Sequence, residues 1–180
     1  MKEEKPTDST EDKSKKLSEV IKLIDEDDLE TKYNELKDKY ILPNFEKICE
    51  DFDVEKVADK ESSYLLREIR RIINEKVAAY LHLFETLINP TSPPIFVFSI
   101  LRGMSNDDKE QMKNIYKALS KTQLAIMRLD TMYDEQSEAK FITDTFNLWQ
   151  ELKPQILEII KGFEANFEKD DSSKKSSYFD

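Results

Sequence analysis

Two glycines in 180 residues, with hydrophobic stripes of helical period running between the prolines, leave this chain little choice but to be helical. Average usage would give about a dozen glycines at this length. Their scarcity removes phosphate-cradling loops, dinucleotide fingerprints and glycine-based hairpins together. Each of those needs a backbone conformation or a close approach that a side chain blocks.

The stripes place the helices. Leu29, Tyr33, Leu36 and Tyr40 are spaced 4, 3, 4, and Ile41, Phe45, Ile48 and Phe52 repeat that spacing one residue out of phase. Pro43 sits at the slip, so the segment is expected to kink or break there. Leu66, Ile69, Ile73, Val77, Tyr80, Phe84 and Leu87 mark a long helix over about 60–88, with Asp59, Ser62 or Ser63 able to cap it. The prolines at 90, 93 and 94 end it, and Ile95–Met104 reads as either a short buried helix or an extended plug. Ser105 with Asp108 resembles a capping box opening the next helix. That helix carries a heptad seam, Met112, Ile115, Leu119, Thr122, Ile126, Leu129 and Tyr133, the spacing of near-parallel helix packing. The last stripe, Ile142, Phe146, Trp149, Leu152, Ile156, Ile160, Phe163 and Phe167, is interrupted by Pro154, where a kink or a restart is expected.

The fold expected is therefore all-α. Three long antiparallel helices (about 60–88, 106–133 and 135–168) form a bundle, with the acidic region 28–52 as a kinked fourth layer. Residues 14–168 make a single domain between tails, 1–13 and 169–180, too polar to bury a core. Leu17, Val20, Ile21 and Ile24 add a short amphipathic stretch before the acid run Asp25–Asp28. The first residues carry no apolar core of a signal peptide, and the longest apolar run is far below the ~20 residues of a membrane span. With the single cysteine, Cys49, these features lead to the expectation of a soluble, cytoplasmic protein without membrane contact.

The net charge of −10 is unevenly spread. Residues 1–59 carry 11 basic and 19 acidic side chains, and 131–180 carry 6 and 11, whereas 60–130 carry 11 and 8 and hold every arginine. An acidic chain with a basic middle argues against bulk nucleic-acid binding and leaves room for an acidic partner.

Catalytic constellations are hard to assemble from this composition. His82, the only histidine, falls opposite the core stripe of its helix, and a di-metal carboxylate bundle needs two Glu-x-x-His pairs. Glu135 and Glu138 form one Glu-x-x-Glu pair, but acids are expected at a helix start for dipole reasons alone. Cys49 has no neighbouring base in the sequence to activate it. No catalytic residue, metal ligand or cofactor is assigned. Arg67 and Arg71 form a small basic row expected to pair locally with Glu68 and Glu75. Phe96 and Phe98 are expected to help seal the bundle end, with a hook for a partner as the alternative.

One surface stands out. Lys109, Lys113, Lys117, Lys121 and Arg128 run along the heptad helix opposite its seam, with Leu124 among them, and residues 111–129 contain no acid. The face is either solvated, covered by residues 25–52, or a docking strip. The functional expectation is a non-enzymatic interaction protein contacting another, acidic protein or a second copy of itself through Lys113, Lys117, Lys121, Leu124 and Arg128. The alternative is a polyanion or nucleic-acid module on the same face, weakened by the lack of stacking aromatics. A magnesium-dependent phosphate-ester hydrolase ranks last.

Overall fold

The computed structural model describes residues 28–58, 64–91 and 95–176, and all regular structure among them is helical. Helix α1 covers 28–40, α2 Phe45–Phe52, α3 Leu65–Ile88, α4 Ile95–Gly103, α5 Asn106–Thr131 and α6 Glu135–Ser176. A short 3-10 turn, Val54–Val57, follows α2.

Helices α3, α5 and α6 form the bundle. Arg70 near the start of α3 meets Glu138 at the start of α6, and Tyr80 further along α3 packs on Trp149, so these two helices run parallel. Helix α5 runs against both, its end at Asp130 reaching Arg70 and its Gln123 reaching Asn74. The expected seams are the core. Leu66, Ile69, Ile73, Val77, Phe84 and Leu87 are buried on α3, as are Met112, Ile115, Leu119, Ile126 and Leu129 on α5. Ile142, Trp149, Leu152 and Ile156 close the core from α6.

Local chemistry sets the helix ends. Ser105 and Asp108 make the reciprocal capping box in full, and Asp134 accepts from the Ser137 amide at the start of α6. Helix α3 begins at Leu65, later than the stripe suggested, and the proposed caps Asp59, Ser62 and Ser63 lie outside the described residues. So do the stretch from Leu17 to Ile24, residues Asp25 to Asp27 and the 1–13 tail. The phase slip at Pro43 is a true break. Ile41 ends α1 in the left-handed region at φ 57° with its side chain 84% exposed, a conformation strained for a β-branched residue. Pro154, in contrast, neither breaks α6 nor makes it restart. The helix continues to Ser176, into the serine-rich tail.

The segment Ile95–Gly103 is a helix rather than an extended plug. Its Val97 is buried and its Gly103 lies so close to Asn166 of α6 that a β-carbon would collide with that side chain. Phe98, next to Val97 and turned about 100° from it on the helix, is 51% exposed, so at most part of it covers the bundle end; the Phe96 side chain lies outside the description.

Helices α1 and α2 form the expected extra layer, and its position is specific. Tyr40 and Lys39 bind Glu135 at the start of α6 at 2.6 and 2.9 Å. Phe52 packs on Trp149, and Asp51 accepts from Gln150 and Lys153 of α6, each at 2.6 Å. Lys76 of α3 donates to the Asp51 carbonyl and lies over the Phe52 and Trp149 rings. Helix α2 therefore lies in the furrow between α3 and α6, with the end of α1 tied to the start of α6. No helix among the described residues is long and apolar enough to cross a membrane.

Candidate interaction groove

A three-helix bundle has a furrow along each helix pair, and among the described residues nothing fills the one between α5 and α6. It forms a groove of about 350 Å³. Ala118 and Ala125, one heptad apart on α5, and Phe141 and Leu148, one heptad apart on α6, line it and give the furrow an apolar floor. Thr122 and Thr145 complete the floor, both buried.

The rim is basic. Lys121 and Arg128 stand on the α5 side and Lys140 on the α6 side, all exposed, while Asp144 accepts from Lys140 at 2.8 Å. Three cations thus face one engaged carboxylate. Beyond the α5 rim, Leu124 is 67% exposed, high for a large apolar side chain on a charged helix, and Met127, 66% exposed, lies on the side of α5 turned away from the groove.

The five residues singled out from the sequence divide among different places. Lys121 and Arg128 line the groove, and Leu124 stands beside it. Lys117 is exposed further along α5. Lys113 borders a separate cavity of about 290 Å³ with Leu87, Pro90, Leu101, Lys109 and Met112. All five are exposed. Coverage of this face by region 25–52 is not what its described part provides, because α1 and α2 lie against α3 and α6. Sequence reading missed Lys140, Phe141 and Leu148. Their signal was a second heptad pair beside the α6 stripe, meaningful only once α5 lies opposite.

The other chemical candidates have structural partners. Glu138 is fully buried, its Oε2 2.6 Å from Arg70 Nε and its Oε1 3.7 Å from Arg67 Nε. Burial pushes its carboxyl above the ordinary range, against the pull of Arg70 and Arg67. Glu135 is tied up by Tyr40 and Lys39, whose hydrogen bonds hold its carboxyl below that range. The pair therefore points to different partners rather than to a shared ion. Among the described residues no three His, Cys, Asp or Glu side chains cluster as metal ligands. His82 is exposed, and Cys49 is half-buried with its thiol pushed up to about 12, chiefly by burial and then by Glu55.

The small basic row is only partly local. Arg71 pairs with Glu68 at 2.7 Å as expected. Arg67 instead stacks over the Tyr64 and Tyr133 rings, 5.4 and 4.6 Å from their centres, because the end of α5 brings Tyr133 against it. Comparison with family models, with curated proteins and with solved structures finds no match to this chain, and the groove is read from its own chemistry.

Proposed function

We infer that this protein is a non-enzymatic helical module that captures an acidic partner protein through the α5–α6 groove and its basic rim. The observation carrying this reading is an apolar floor bordered by Lys121, Arg128 and Lys140, next to exposed Leu124. Cations around an apolar centre supply the two ingredients of a specific protein contact, a desolvated anchor and a charged border that steers encounter. Polyanion binding uses the cations but not the floor. Stacking groups are lacking on this face, where Phe141 is 6% exposed.

The test places a photoreactive residue at position 124, with a control at the exposed position 157 of α6. Protein adducts are expected at 124 and not at 157. Lys121→Glu with Arg128→Glu should abolish them while leaving the far-ultraviolet dichroism unchanged. Adducts that prove to be nucleic acid would hand the face to the polyanion reading, and equal adducts at both positions would refute a specific contact.

A further inference from the structure

The groove's occupant can be specified further, on the reading that this face captures an acidic protein. We propose that the α5–α6 groove seats an amphipathic helix of that partner, with carboxylates flanking its apolar stripe, packed as one more helix of the bundle.

The argument begins with the furrow already filled. Between α3 and α6 the chain lays down α2, whose Ile48 and Phe52 are buried. Its Asp51, on the same helix, is held from both walls. Lys153 and Gln150 of α6 bind the carboxylate, and Lys76 of α3 binds the carbonyl. One furrow of this bundle is thus closed by a helix whose apolar pair is flanked by an acid, with lysines on the walls receiving it.

The α5–α6 furrow repeats those features without an occupant among the described residues. Its floor is apolar, its walls carry Lys121 and Arg128 on one side and Lys140 on the other, and Asp144 engages Lys140. The spacing suits a helix. Ala118 and Ala125, Lys121 and Arg128, and Phe141 and Leu148 each repeat at seven residues, so an incoming heptad stripe meets gaps and cations in register. From Ala118 to Leu129 the groove runs about 17 Å along α5, close to three turns.

Charge decides against a second copy docked face to face. An isologous contact would set Lys117, Lys121 and Arg128 against the same residues of the other copy, and like charges brought together at an interface are repelled. An acid-flanked helix meets them with opposite sign.

The probe is a synthetic labelled peptide of four heptads with leucine at the seam positions and glutamate on both flanks, titrated into the full chain by fluorescence anisotropy. It should bind saturably and weaken as salt rises. Lys121→Glu with Lys140→Glu should weaken it by about tenfold or more. Ala125→Trp, which fills the floor and leaves the rim charges intact, should do the same. The charge pair is the safer variant, since both lysines are exposed.

A shuffled peptide of equal composition and a lysine-flanked version should both fail. If the shuffled peptide binds as well, the helix proposal falls while the acidic-partner reading stands. If the acidic helix binds but neither variant weakens it, the groove is not its seat and the proposal falls. If no peptide binds while the position-124 adducts persist, the occupant is not a helix. Self-association in sedimentation that Lys121→Glu with Lys140→Glu removes would make a second copy the occupant and overturn the proposal.

Discussion

Arg70 offers the sharpest test of how the bundle is locked at its α5–α6 turn. Its side chain is 2% exposed, bonded through Nε to the fully buried Glu138 at 2.6 Å and through Nη2 to Asp130 at 2.8 Å. Arg70→Met keeps the bulk and removes the charge. Asp130, 58% exposed, rehydrates readily. Glu138 cannot, and is left with Arg67 at 3.7 Å. An uncompensated buried carboxylate of this kind costs about 3–5 kcal/mol, which for a domain of this size lowers the melting temperature by about 6–20 °C.

The double variant, Arg70→Met with Glu138→Leu, removes both charges and should recover most of that loss. Chemical denaturation followed by dichroism measures all members of the cycle. Acidity supplies an independent check. Burial already holds the Glu138 carboxyl above its unfolded value, so the folded chain takes up this proton first. Glu138 therefore favours folding at low pH and loses that contribution as pH rises through its folded value. Without Arg70 the folded value rises further, and the deficit should shrink on acidification. A loss below ~1 kcal/mol for Arg70→Met, or a double variant no better than the single, would refute the account.

On α5, Leu119→Ala and Leu124→Ala should separate cleanly, because Leu119 is 1% exposed and Leu124 67%. The first should cost about 2–5 kcal/mol and the second less than ~0.5 kcal/mol, both read from denaturation midpoints; equal costs would contradict the helix orientation. Asp51 links the α1–α2 layer to pH. Burial alone would raise its carboxyl, but hydrogen bonds from Lys153 and Gln150, with the Lys153 charge, more than offset this and hold it below the ordinary range. Its stabilising contribution is therefore complete above the unfolded value of 3.8 and is lost as pH falls through the lower folded value. Asp51→Asn should lower stability at neutral pH by about 1–3 kcal/mol, with the difference from the original chain closing below about pH 4; a constant difference down to pH 2 would disprove the linkage.

Much of the fold was legible because it depends on neighbours in sequence. Helical period comes from spacing within one segment, so the α3, α5 and α6 stripes that the sequence marks are largely the residues that the structure buries. The box at Ser105 and Asp108 closes within one turn. The break at Pro43 follows from proline's missing amide and fixed backbone angle. Pro154 shows the limit of that rule. The same residue lies inside a continuous α6, where buried Leu152 and Ile156 on either side hold the helix to the core, and tertiary packing overrides local preference.

The groove and the buried ion network depend on which helices face each other. Lys121, Leu124 and Arg128 were visible as one face of one helix. Lys140, Phe141 and Leu148 became part of the same site only because α6 lies alongside α5. Arg70 stands in sequence between Ile69 and Arg71 as one more charged residue, and Glu138 looked like an ordinary acid of a first helical turn. Their pairing spans 68 positions, and nothing in either segment specifies it. By itself the sequence determined the long helices, most of their buried faces and some of their ends, such as the box at Ser105 and the break at Pro43, since these follow from backbone preferences and apolar spacing over a few residues. The tertiary structure alone decided that α2 closes the α3–α6 furrow, that Arg70 and Glu138 are buried together, and that no described residue fills the α5–α6 furrow, because each depends on contacts between segments far apart in the chain.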